Sequence, residues 1–126
     1  MICGTETGDI QDLQVKMIDF GMSKHAKGGK VDLSTYAGTI NFMAPEVLNE
    51  QPYDNRCDLW STGCVAFYML TGELPFTGKD EPEIARKIDL CAFDYPNFMG
   101  GAEMEDARDF VDGLIAIEPN ERFNSD

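Results

Sequence analysis

Asp19 lies within the run Lys16-Met17-Ile18-Asp19-Phe20-Gly21, where an apolar stretch gives way to a glycine. A carboxylate at the end of a strand, just before the chain turns, is well placed to hold a hard cation such as Mg²⁺. The triplet alone says little. At average usage it arises by chance in about one chain in fifty of this length, and a strand followed by an ordinary turn explains it equally well. Zinc chemistry has less support. Cys3, Cys57, Cys64 and Cys91 are scattered without a C-x-x-C pair, and His25 is the only histidine, so clustered zinc ligands are lacking. Cys57 and Cys64 fall in an apolar segment and read as buried thiols. Neither G-x-G-x-x-G nor G-x-x-x-x-G-K-[ST] occurs, so no phosphate-cradling loop of those kinds is written in the chain.

The elements that must position Asp19 can be read from patterning. Leu13–Phe20 is rich in Val, Ile and Phe and predicts a short strand. The stretch from Gly21 to Tyr36, with Gly28-Gly29 at its centre, predicts a loop. Pro45 can start a short helix running to Glu50, because the first helical position needs no N–H. Asp54–Leu70 is the strongest helical segment, capped by Asp54 or Asn55 and ended by Thr71-Gly72. Its apolar residues surround nearly the whole circumference, which predicts a buried central helix. Glu81–Leu90 and Met104–Ile117 are two further helices. The second gathers Met104, Ala107, Val111, Leu114 and Ile115 on one face and turns its acids to water.

Composition bounds what such a chain can meet. It has 126 residues, room for one modest domain, and 23 acids against 10 bases give a net charge of −13. Four acids and four lysines cancel within residues 1–30, so the remainder carries the whole excess. That charge repels phosphate backbones and anionic lipids, and no nucleic-acid or membrane partner is expected. At 43% hydrophobic residues the chain can fill a core. The opening residues lack a secretory signal and the longest apolar stretch, Gly63–Leu70, is far below the roughly 18 residues of a membrane span. A cytoplasmic chain is expected, with the nucleus as the alternative.

What lifts Asp19 above chance is the order of motifs that follows it. Gly38-Thr39-Ile40-Asn41-Phe42-Met43 leads into Ala44-Pro45-Glu46, then come Asp58-Leu59-Trp60-Ser61-Thr62-Gly63, Gly72-Glu73-Leu74-Pro75-Phe76 and Glu118-Pro119-Asn120-Glu121-Arg122-Phe123. The series from D-F-G to A-P-E resembles the second half of a eukaryotic protein kinase domain. The stretches LSTYAGTINFMAPEVL and YDNRCDLWSTGCVAFYMLTGELPF are most similar to the calcium/calmodulin-dependent and calcium-dependent serine/threonine kinases. No EF-hand loop is present.

The resemblance implies a mainly α fold: a partial kinase C-lobe over residues 1–126, with short N-terminal strands, an activation loop and a buried central helix. It implies a transferase parent that moves the γ-phosphate of ATP, with Mg²⁺, to serine or threonine of a protein substrate. By the same resemblance Asp19 would coordinate Mg²⁺ at the ATP phosphates and Phe20 would pack in the regulatory apolar stack. Thr39 would help position the catalytic aspartate and the substrate hydroxyl. Thr35 would be the activation-loop phosphorylation site, partnered by Lys24. Glu46 would pair with Arg122, shielded by Trp60, and Asp58 would hold the catalytic-loop backbone.

Three parts of a working kinase are not in the chain: the Gly-rich cover, the strand lysine with its helix glutamate, and the H-R-D loop that carries the base aspartate. The expectation is a lobe that begins just after the catalytic loop, stops before the last helix, lacks its N-lobe partner and is inactive alone. The rival reading is a non-catalytic lobe that binds proteins through its acidic face. An unrelated helical adaptor would require the motif series to be accidental.

Overall fold

The computed structural model describes residues 2–3, 14–16 and 39–123. Two short strands, β1 (Ile2–Cys3) and β2 (Gln14–Val15), pair antiparallel with Ile2 opposite Val15. The expected strand over Leu13–Phe20 is described only at Gln14–Val15, and the loop from Gly21 to Tyr36 lies outside the described residues. Four α-helices follow: α1 (Pro45–Leu48), α2 (Arg56–Thr71), α3 (Glu81–Asp89) and α4 (Glu105–Leu114). Four 3₁₀ turns, at Ile40–Phe42, Asn97–Gly100, Ala102–Met104 and Pro119–Glu121, join them. No helix among the described residues is long and apolar enough to cross a membrane.

The helix limits follow local chemistry. At the start of α2 the Asp54 carboxylate accepts the backbone N–H of Arg56 at 3.0 Å, so Asp54 does the capping and the Asn55 side chain makes no cap bond. Gly72 ends α2 in the left-handed conformation, φ 77°, and its N–H returns to the Tyr68 carbonyl. Asp80 caps α3 by accepting Glu83 N–H at 2.9 Å. Three expected spans prove too long. α1 stops at Leu48 and gives way to a turn in which Glu50 has φ 53°. α3 ends at Asp89. α4 is Glu105–Leu114 because Met104 closes a 3₁₀ turn and Ile115 leaves helical geometry at ψ 68°.

The core is aromatic. Trp60 and Phe76 stack at 5.5 Å with an interplanar angle of 6°, and Phe93 meets Phe67 and Phe76 edge-on at 5.4 and 5.7 Å. Such pairs add about 0.5–1.5 kcal/mol each beyond their buried area. Ile88 from α3 and Val111 from α4 complete the same cluster. The expectation that α2 is buried all round needs correction. Trp60, Gly63, Cys64 and Phe67 are buried, but Val65, Tyr68, Met69 and Leu70 are exposed, Met69 by 76%. Among the described elements, α4 and the turn at Ile40–Phe42 make the main contacts with α2, and neither covers that face. Cys64 is buried as expected, whereas Cys57 is only half-buried. Desolvation pushes both thiols up to about 12, so neither is a nucleophile near neutral pH.

α2 and α4 approach closely because position 63 has no side chain. A Cβ there would stand 2.6 Å from Ile115 Cγ1 and 2.9 Å from Leu114 Cβ, and the Ile115 backbone N is only 3.4 Å away. Gly63→Ala therefore gains about 1 kcal/mol of helix propensity but forces an overpacked contact against atoms that cannot swing aside. A net loss of about 1–3 kcal/mol is expected in denaturant unfolding. Gly100→Ala, where a Cβ meets nothing within 4 Å, should stay within about 0.5 kcal/mol of wild type.

Candidate functional site

Glu46 lies in the first turn of α1 and Arg122 follows the last 3₁₀ turn, 76 residues later. Both are buried, and the fold brings them into a two-pronged pair. Arg122 Nη1 donates to Glu46 Oε1 at 2.6 Å and Nη2 to Oε2 at 2.8 Å. The guanidinium has further acceptors: Nε donates to the Ala116 carbonyl at 2.8 Å, Nη1 to that of Arg56 at 2.8 Å and Nη2 to that of Ile117 at 3.2 Å. All five N–H donors of the side chain are thereby used. The Arg122 carbon Cζ sits 5.2 Å from the centre of the Trp60 ring, within cation–π range. Trp60's own indole N–H is buried with no acceptor among the described residues. The ring instead works through its π system, in the Phe76 stack and toward the cation.

A second pair guards the start of α2. Arg56 donates from Nε and Nη2 to both oxygens of Asp54, the shortest contact being 2.6 Å, and from Nη1 to Asn120 Oδ1. That side-chain hydrogen bond holds the Asp54 carboxyl below its usual value. Its folded pKa is depressed, so its contribution to stability is present above the ordinary carboxylate range and lost as pH falls through the lowered value. Both side chains keep substantial exposure, and such a pair is worth little.

Thr39 is exposed and extended, φ −77° and ψ 120°, directly before the turn Ile40–Phe42. Asp58 is also exposed, in the first turn of α2, where its backbone carbonyl accepts Thr62 Oγ1 at 2.8 Å. Asp19, Phe20, Lys24 and Thr35 lie outside the described residues. Among those described, no three His, Cys, Asp or Glu side chains are grouped to hold a metal ion. A cleft of about 470 Å³ opens beside Glu46, but the carboxylates of Asp89 and Glu118 line it and would repel a polyphosphate. That cleft is therefore not a seat for ATP.

Two contacts had no signal in the sequence. Asn41 Nδ2 donates to the Phe76 carbonyl at 2.8 Å, and Ser61 Oγ to that of Phe42 at 2.8 Å. Asn and Ser bond local backbone as readily as distant backbone, so their partners cannot be chosen from spacing.

Because Arg122 satisfies five acceptors, a lysine there would leave at least two of them buried and unpaired. Arg122→Lys should cost about 2–4 kcal/mol in denaturant unfolding despite keeping the charge. Arg86→Lys, at an exposed position of α3, should move stability by less than about 0.5 kcal/mol. Equal effects at the two sites would show that the guanidinium geometry is irrelevant.

Comparison with known proteins places this arrangement. The family model described as "Protein kinase domain" matches residues 6–126. Myosin light chain kinase A of Dictyostelium discoideum is 35% identical over 113 residues, which are 90% of this chain and 38% of that protein. A probable myosin light chain kinase from the same organism is 37% identical over 124 residues, 98% of this chain and 37% of the relative. The calcium/calmodulin-dependent protein kinase type II alpha chain of Drosophila melanogaster is 29% identical over 111 residues, 88% of this chain and 21% of the relative. The chain therefore spans well under half the length of these relatives. The motif series, the mainly helical architecture and the match over nearly all of the sequence agree: this chain belongs to the protein kinase domain family.

Proposed function

We propose that the chain is part of the C-terminal lobe of a serine/threonine protein kinase whose whole form transfers the γ-phosphate of ATP to hydroxyls of a protein substrate. The observation that carries the reading is the buried Glu46–Arg122 pair. It ties the Ala44-Pro45-Glu46 end of the activation segment to the Arg122 of the last motif. Two residues that the motif series singles out, 76 positions apart, thus meet in one buried pair.

In the whole kinase Asp19 would hold Mg²⁺ at the ATP phosphates, Phe20 would join the apolar stack and Asp58 would fasten the catalytic loop. Mg²⁺ there would neutralise charge on the transferring phosphoryl group. Thr39 would orient the hydroxyl that receives it. Phosphate on Thr35 adds about −1.5 to −2 charge and orders its loop against basic partners, of which Lys24 is one. Cytoplasm or nucleus suits such an enzyme.

The chain alone is proposed to be inactive. Phosphoryl transfer depends on positioning and electrostatic stabilisation. One carboxylate cannot replace the Gly-rich cover, the lysine and the second metal ligand. Calorimetric titration of the purified chain with Mg-ATP should show no micromolar binding, and a phosphotransfer assay on a basic peptide should stay at background. The parent protein should phosphorylate the same peptide, and Thr35→Ala should lower its rate and abolish phosphate at that position. Turnover by the chain alone would overturn its inactivity. A parent without transferase activity that still binds protein partners would favour the non-catalytic lobe instead.

A further inference from the structure

The turn Ile40–Phe42 rests on the core through the half-buried side chains of Ile40 and Phe42, an apolar contact that is not directional. It buries no residue, and its internal bonds are Phe42 N–H to the Thr39 carbonyl at 3.1 Å and Met43 N–H to the Ile40 carbonyl at 3.0 Å. Short 3₁₀ turns with such bonds are weakly determined by themselves. Two directional side-chain bonds tie it to its neighbours: Ser61 of α2 donates to the Phe42 carbonyl, and Asn41 of the turn donates to the Phe76 carbonyl. The Ser61 hydroxyl has an alternative within its own helix, since Oγ also lies 3.3 Å from the Cys57 carbonyl. It can release Phe42 and remain satisfied. The Asn41 amide has no second acceptor among the described residues, and its contact with the Phe76 carbonyl spans 35 positions. Phe76 is a rigid post: it is fully buried and stacks on Trp60, whose ring lies against Arg122. The polypeptide is thus pinned at Asn41 and again at Glu46, and Thr39 stands just ahead of the first pin.

We propose that Asn41 is a positioning residue for the transfer reaction. By donating its side-chain amide to the Phe76 carbonyl, it fixes the turn and so sets the direction in which the exposed Thr39 meets a substrate hydroxyl. The proposal rests on the kinase reading above. Asn41 touches neither substrate nor nucleotide and acts only through Thr39.

Two measurements test it. In this chain, Asn41→Asp keeps the shape but removes the donor and sets a carboxylate against a carbonyl, and Asn41→Ala removes the group. Hydrogen exchange of the Phe42 and Met43 amides should quicken about fivefold or more in both variants. Exchange at Ile115, whose N–H bonds the Val111 carbonyl in the core, should not change. Unchanged exchange at Phe42 and Met43 would overturn the anchor whether or not the protein is a kinase. In the parent enzyme the same variants should lower kcat/KM for a peptide about tenfold while leaving KM for ATP within about twofold. Peptide and ATP constants that worsen together, or a peptide kcat/KM equal to wild type, would overturn the positioning role. A wild-type parent that phosphorylates no peptide would count against the kinase reading, and the exchange result would still decide whether Asn41 fixes the turn.

Discussion

Arg122 carries a full charge and five N–H groups into a place that water scarcely reaches, and the surrounding structure is arranged to make that tolerable. A buried guanidinium without partners would cost several kcal/mol. Here the charge is met by Glu46, the remaining donors by three backbone carbonyls, and one face by the Trp60 ring. Those partners come from α1, from the first two turns of α2 and from the segment after α4. Satisfying one side chain therefore fixes three pieces of chain relative to each other. The pair is best understood as setting register: replaced together by apolar residues, such pairs often cost nothing in stability, whereas the two-pronged contact itself has a single geometry.

The aromatic cluster supplies the stability that the pair does not. Trp60 belongs to both, as ring neighbour of Arg122 and as stacking partner of Phe76. From Phe76 the cluster runs through Phe93 to Phe67 and Tyr95, so α2 is held along one side from its first turns almost to its end. Its other side, with Val65, Tyr68 and Met69, faces water. A helix with apolar residues on every side but cover on only one leaves a strip that disfavours solubility, opposed by the net charge of −13.

Much of this was legible in the sequence. The four helices follow from apolar spacing, caps and breakers, and their centres lie where those signals put them. Their ends do not, because Glu50 turns to positive φ, Met104 closes a 3₁₀ turn and Ile115 leaves helical ψ, and apolar spacing does not encode such terminal geometry. Glu46 and Arg122 were singled out only through the motif resemblance, since two residues 76 positions apart leave no local signature. The three carbonyls that complete Arg122 are invisible at that level, because every residue offers one. The one-sided cover of α2 was missed because an all-apolar circumference reports what a helix could bury, not which neighbours are there to bury it.

The most direct test of the account is a double-mutant cycle on Glu46 and Arg122, with Glu46→Ala, Arg122→Ala and the double variant compared by denaturant unfolding. If the buried pair is the shared constraint, each single change strands a charge and the double change relieves it. The double variant should then lose less stability than the two single losses combined, by about 2–3 kcal/mol. Losses that add to within about 0.5 kcal/mol would mean that the two side chains act independently, contradicting the register-setting role given to the pair.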